Sequence, residues 1–251
     1  MDEGILDIYK KSIDINSQRV SEGLTEHKKD LATVYSNRGR AYINFGRYEE
    51  AIDDFTRIIE INQDLEENNE SLENDVIFQA YTNRGKAYSY LDKQWEAIKD
   101  FSQSISLKED SLKIGENIDK SLLAQDYRDR GMAFMELDKA QKSIDNYSQA
   151  IRIYEEISKS ENDITDKNEF SALYMSKGIA LIMTKNYKEA VEELDKAYDM
   201  QKILYDKGEL LNIPVIVTTL RSRIVANTKL GNHVDVSRDQ IIVKEYMTKM
   251  F

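Results

Sequence analysis

The sequence predicts an all-α solenoid of antiparallel helix pairs, and the main reason is a repeat of nearly constant period. Four glycines recur every 46 or 47 residues. Each has a tyrosine four residues before it, a small residue twelve after it and a large apolar residue sixteen after it. Self-similarity at a fixed period is typical of stacked repeats that cannot bury their apolar faces alone. The repeat glycines are Gly39, Gly85, Gly131 and Gly178.

The spacing inside one repeat predicts two helices. Tyr35, Gly39 and Tyr42 stand at i, i+4 and i+7, which places them on one stripe of a first helix. Ala51 and Phe55 begin the same pattern on a second helix after a short turn. Because Gly39 and Ala51 lack bulk, we expect the two helix axes to approach closely there, with aromatic rings filling the surrounding space.

These residues resemble the tetratricopeptide repeat (TPR) family, from Tyr35 to Tyr42 in the first helix and from Gly46 to Phe55 in the turn and second helix. The stretch from Tyr81 to Phe101 matches almost as well. The next two copies keep the glycine, the small residue and the large apolar residue. The resemblance implies a right-handed superhelix, with the first helix of each repeat lining a concave groove that binds proteins.

The repeat departs from the usual TPR length of about 34 residues. Pro214 is the single proline, so the second helices of the other repeats lack the usual proline stop. We therefore expect helices of roughly 15 to 20 residues.

The period divides the chain into one predicted TPR-like domain, 1–251. Ile5–Ile15 copies the pattern of Ala51–Ile61 and indicates a half repeat, and Ile224 replaces the glycine in a degenerate last repeat. The predicted segments are a half repeat at 1–26, repeats one to four at 27–72, 73–118, 119–165 and 166–211, and a degenerate fifth repeat at 212–251.

Neither end of the predicted solenoid has a helix that covers its apolar side. Ile5, Ile8 and Ile13 have no helix over one flank, and the sequence shows no polar capping helix after the fifth repeat. Two explanations stay open. The chain is a segment of a longer repeat protein, or an end stacks on another copy or on a larger assembly.

Composition limits the classes of function that the chain can have. A net charge of −11 disfavours nucleic acid as a partner, and no apolar run is long enough to span a bilayer. The absence of cysteine fits a cytoplasmic chain. His27 and His233 lie in different repeats, so no metal site is expected. No catalytic motif or cofactor-binding motif is present.

The acidic stretch from Gln63 to Asp75 is interpreted as a solvated loop, with an acidic docking site as its alternative.

Counting helical angles away from the glycine stripe gives the residues expected to face the groove. They change from polar and basic in the first two repeats to apolar and methionine-rich in the next two. The predicted partner-binding residues are Asn37, Arg40, Asn44, Asn83, Lys86, Tyr90, Arg128, Met132, Met135, Met175, Ile179 and Met183.

The apolar part of this face has two interpretations. A methionine-rich surface adapts to varied apolar partners, which favours a bound peptide or amphipathic helix. Alternatively, the fifth repeat folds over Met175 and Met183 with residues such as Ile216, Val217 and Ile241.

Three classes of function follow. The sequence favours a non-catalytic cytoplasmic scaffold or adaptor that holds a partner peptide or helix in the groove. A peptide-responsive TPR receptor, or the repeat segment of a larger multi-subunit assembly, is the alternative. An enzyme is disfavoured because no site pattern is present.

Overall fold

The computed structural model describes residues 2–161, 167–210 and 212–249, and every element within these ranges is helical. The helices are α1 (Asp2–Ser21), α2 (His27–Asn44), α3 (Tyr48–Glu66), α4 (Asn74–Tyr90), α5 (Gln94–Lys113), α6 (Lys120–Glu136), α7 (Ala140–Glu161), α8 (Lys167–Met183), α9 (Tyr187–Asp206), α10 (Ile213–Leu230) and α11 (His233–Thr248). The predicted all-α fold is confirmed. The predicted boundary at 165 and 166 lies outside the described residues, as does residue 211. The division into repeats stays a prediction.

The chain forms two compact units, Met1–Ile118 and Asp119–Phe251, called here the N-terminal and C-terminal units. In the N-terminal unit each helix from α1 to α5 packs on the next, and α2 also contacts α4. In the C-terminal unit α6 to α11 pack in the same order, and α8 also contacts α10. Helices α2, α4, α6, α8 and α10 are the first helices of their pairs. Turns of two or three residues join them to antiparallel second helices.

The helices range from 16 to 22 residues, close to the expected length. The first helices have 17 or 18 residues, whereas α3, α5, α7 and α9 have 19 to 22. Pro214 opens α10, where its missing N–H costs no helical hydrogen bond.

The close approach of paired helices is confirmed at the repeat glycines. A Cβ atom on Gly85 would lie 2.9 Å from Cε1 of Phe101, and one on Gly178 would lie 2.6 Å from Cγ of Leu194. Phe101 and Leu194 are buried. A larger residue than glycine would therefore displace the side chain that fills the space between the two helices.

A second cross-link joins the paired helices, and the sequence reasoning missed it. The residue before each repeat glycine, or before Ile224, is basic. Its partner lies sixteen residues later on the second helix. Each carboxylate in this set, such as that of Asp54 or Asp239, is buried. The pairs are Arg38–Asp54 at 2.7 Å, Arg84–Asp100 at 2.7 Å, Arg130–Asn146 at 2.8 Å, Lys177–Glu193 at 3.0 Å and Arg223–Asp239 at 2.7 Å.

These pairs also involve the tyrosines of the repeat. Arg38 donates two hydrogen bonds to the Asp54 carboxylate, and its guanidinium lies 5.6 Å from the ring centres of both Tyr35 and Tyr42. The hydrogen bonding to Asp54 raises the pKa of Arg38 and keeps it charged. Bidentate geometry and the aromatic faces both favour a guanidinium over an ammonium.

Candidate functional site

The predicted binding residues of the N-terminal unit lie on α2 and α4. Asn37, Arg40 and Asn44 are exposed on α2, and Asn83 and Lys86 are half-buried on α4. The face is therefore polar and reachable from solvent.

Tyr90 ends α4 and is also exposed, but it has a partner. Its ring stacks on that of Tyr48 at the start of α3, with the ring centres 4.6 Å apart and the planes 17° from parallel. Such stacked pairs add to the burial of the two rings and fix their orientation. Tyr90 thus presents an aromatic side chain in a defined position at the end of the polar face.

The predicted binding residues of the C-terminal unit are mostly apolar and lie on α6 and α8; together they are called here the apolar face. Met132 and Met183 are 52% and 46% exposed. Met135, Met175 and Ile179 are half-buried. Exposed methionines with large apolar neighbours form a surface that is costly to hydrate and can adjust its shape.

Arg128, at the edge of the same face, is already held by acidic partners. Its guanidinium contacts Glu169 at the start of α8, and its Nη2 lies 2.6 Å from Oδ1 of Asp129. Burial lowers the pKa of Arg128, but the charges of Asp129 and Glu169 outweigh that effect and raise it above its ordinary value. Arg128 therefore links α6 to α8, and a ligand would meet a neutralised cation there.

The degenerate fifth repeat extends the apolar face, which sequence reasoning missed. Val225 on α10 directly follows Ile224, as Met132 and Ile179 directly follow their repeat glycines, and it is 47% exposed. Arg221 and Lys229 lie one turn before and one turn after it and are exposed. Counting from Ile224 as if it were the glycine would have found these three residues.

The residues proposed to cover the methionines lie elsewhere. Ile216 and Val217 are buried in a cluster with Val243 and Tyr246 at the α10–α11 pair. Met183 is left exposed. In this structure the fifth repeat packs as a further helix pair.

Comparison with known families agrees with the helix pairing. Two sequence models, each described as tetratricopeptide repeat, match residues 32–65 and 78–111. These ranges contain Gly39 with Phe55 and Gly85 with Phe101. The chain contains tetratricopeptide repeats in these two ranges. No curated protein sequence matches it.

Several solved structures share this fold at low sequence identity. BtubC (BKLC) from P. vanneervenii has a TM-score of 0.72 and 12% identity, and the match covers 100% of this chain and 92% of that one. A putative kinesin light chain with nearly identical TPR-like repeats from Podosopora anserina has a TM-score of 0.64 and 14% identity, covering 90% and 98%. YrrB, described as a TPR protein with an unusual peptide-binding site, has a TM-score of 0.59 and 13% identity, covering 90% and 91%.

Other features of the protein lie apart from the first-helix faces. Cavities of 430 and 320 Å³ flank the Arg38–Asp54 and Arg84–Asp100 pairs, and both are lined by Thr56 of α3. Among the described residues, no group of three or more His, Cys, Asp or Glu side chains is placed to hold a metal ion. No helix in the described part of the chain is long and apolar enough to cross a membrane.

Proposed function

We propose that this TPR protein is a non-catalytic cytoplasmic scaffold or adaptor that binds a peptide or helix of a partner protein on its first-helix faces. The observation that carries the proposal is the repeated exposure of apolar side chains on α6, α8 and α10. Met132, Met183 and Val225 are each about half exposed. An exposed apolar surface of this kind usually marks a contact site.

The character of each face suggests what it binds. The apolar face of the C-terminal unit suits the apolar side of a partner segment, and its methionines can follow an irregular surface. The polar face of the N-terminal unit offers Asn37, Asn44 and Arg40 to backbone or acidic groups. The related fold of YrrB, described as having a peptide-binding site, supports a peptide as the ligand. The net charge of −11 disfavours nucleic acid.

The experiment is an affinity capture from an extract of the native cell, with the wild type and two variants as baits. Met132→Asp with Met183→Asp places two charges on the apolar face at positions that are already half exposed. Ile203→Asp is the matched control, because Ile203 is a similarly exposed apolar residue on the second helix α9. We expect a protein retained by the wild type and by Ile203→Asp to be lost from the double variant.

Equal capture by all three baits would contradict the proposal for this face. Circular dichroism and thermal melting of the variants provide the folding control. Because the substituted side chains are about half exposed, we expect the melting temperatures to change little.

The alternative function, a segment of a larger assembly, is favoured by one observation on α1. Ile5, Ile8 and Ile15 are exposed and lie on one side of this helix. Sedimentation velocity of the wild type and of Ile8→Lys tests it, since assembly through α1 would disappear in the variant.

A further inference from the structure

Two neighbouring helices of the C-terminal unit present parallel ridges of matching spacing. On α8, Met175, Ile179 and Met183 stand at i, i+4 and i+8. Arg221, Val225 and Lys229 take the corresponding positions on α10, and the two helices contact each other. One ridge is apolar throughout, and the other is basic at both ends with an apolar residue between.

The charge of α10 is unusual for this chain. The helix carries three basic residues and no acidic residue, although the protein has a net charge of −11. Arg223 is neutralised by Asp239 and by Asp195, with hydrogen bonds of 2.7 Å to each. Arg221 and Lys229 remain as exposed cations. The guanidinium of Arg221 lies 3.5 Å from Sδ of Met247, a neutral contact that leaves its charge in place.

The acidic residue of α8 is paired, so it does not offset the charges of α10. Glu169 pairs with Arg128, and Lys177 lies 3.0 Å from Glu193. The surface between the ridges is therefore apolar on one side and positive on the other. It is complementary to a segment that is apolar along one stripe and negative along the neighbouring stripe.

The spacing favours a helix as that segment. Lys229 lies eight positions after Arg221 on α10, which corresponds to about 12 Å along the helix axis. Residues i and i+8 of a partner helix have the same rise and lie near one face. Rows of side chains four residues apart also pack against one another in the commonest class of helix–helix contact.

We propose that the partner segment is an acidic amphipathic helix that lies along α8 and α10. Its apolar stripe packs on Met175, Ile179 and Met183, and two carboxylates about eight residues apart face Arg221 and Lys229. This inference rests on the proposed function and adds the chemical class of the partner. A basic segment would meet repulsion at both ends of the α10 ridge.

The test is a selection from a phage-displayed library of helical peptides of roughly 20 residues. The library fixes an apolar stripe and varies the flanking positions among Asp, Lys and Ser. We expect peptides enriched by the wild type to carry Asp at two flanking positions about eight residues apart. The most enriched sequence is then synthesised with its Asp pair and, separately, with a Lys pair at the same positions.

Charge reversal on the protein supplies the specific readout. Arg221→Glu with Lys229→Glu should weaken binding of the Asp peptide about tenfold or more and strengthen binding of the Lys peptide. The matched control is Lys188→Glu with Lys202→Glu, two exposed lysines on the second helix α9, which should leave both affinities unchanged. High salt should reduce the difference between the two peptides.

The remaining outcomes separate this inference from the proposed function. Enrichment without a preference for Asp, or equal weakening by both charge-reversal variants, would overturn the acidic-helix inference. If peptides enriched without a preference for Asp still fail to bind the double variant Met132→Asp with Met183→Asp, the first-helix face remains a binding site. If the wild type enriches peptides no better than this double variant does, both the acidic-helix inference and the proposed function are wrong. Circular dichroism verifies that each variant is folded.

Discussion

Arg223 of α10 donates two hydrogen bonds of 2.7 Å to the carboxylate of Asp239 on α11, and both side chains are buried. The remaining Nη1 donates to Asp195 on α9 at 2.7 Å, so one guanidinium joins three consecutive helices. Ile224 takes the place of the repeat glycine in this helix, yet the ion pair beside it is kept. The degenerate repeat is thus held by the same kind of cross-link as the others.

We expect Arg223→Met to lower the free energy of unfolding by about 3 kcal/mol, because it removes both hydrogen bonds to the buried carboxylate of Asp239 and leaves only Arg238, 3.8 Å away, near that charge. The double variant with Asp239→Leu should recover most of the loss, since no charge then remains buried. Denaturant unfolding measures both. Lys202→Met, which breaks an exposed pair with Asp206, is the control and should change stability by less than about 1 kcal/mol. A double variant as unstable as the single one would show that packing, and not the charge, carries the effect.

Gly85→Leu should cost about 3 kcal/mol, because even a Cβ atom at this position would lie 2.9 Å from the Phe101 ring. Adding Phe101→Leu should restore part of the loss by making room. Gly4 is the matched control, since it is also helical but no described atom lies within 4 Å of where its Cβ would be, and Gly4→Leu should be neutral or slightly stabilising. Thermal melting distinguishes them. Similar melting temperatures for both leucine variants would refute the close approach at Gly85.

Gln201→Leu should raise the free energy of unfolding by about 1 to 2 kcal/mol. Gln201 is fully buried on α9, and neither amide atom has a hydrogen-bond partner among the described residues. Replacing such a group by an apolar one of similar size removes its desolvation cost.

Asn62 takes the corresponding position on α3 and is the control for this prediction. Its Oδ1 accepts from the backbone N–H of Leu72 at 2.9 Å, and its Nδ2 donates to Glu66 at 2.6 Å. Asn62→Leu should therefore destabilise the protein in the same denaturant assay. Destabilisation by both substitutions would indicate that a buried water bridges Gln201.

Stability should fall as the pH rises from about 10 to about 12, in part through Tyr246. Burial, followed by the neighbouring charge of Tyr198, raises the pKa of Tyr246 from 10.0 to about 12. The folded state therefore keeps the phenol proton where the unfolded state has lost it. The contribution is complete below pH 10 and is lost as the pH passes through the folded value. Tyr246→Phe should reduce the loss of unfolding free energy between pH 10 and pH 12 by about 1 kcal/mol. Denaturant unfolding at these two pH values measures it. An unchanged pH slope would exclude Tyr246 as a source.

The sequence by itself determined the helix pairs and their contacts through glycine. Gly85 and Phe101 belong to one repeat, and their helices are joined by a short turn, so regular spacing along the chain predicts their meeting. The family resemblance followed from the same residues. The Arg38–Asp54 pair is spaced as regularly and could have been found by following charged residues with the same period as the apolar ones.

Only the tertiary structure decided which of the predicted binding residues are exposed to solvent and which are paired with other side chains. Arg128 and Met132 lie on the same predicted face. Arg128 is neutralised by Glu169 from another helix, whereas Met132 is half exposed. The two compact units and the exposure of Val225 were also decided at this level. Helical periodicity gives the direction of a side chain from its own axis, whereas exposure and charge pairing depend on the helices that pack around it.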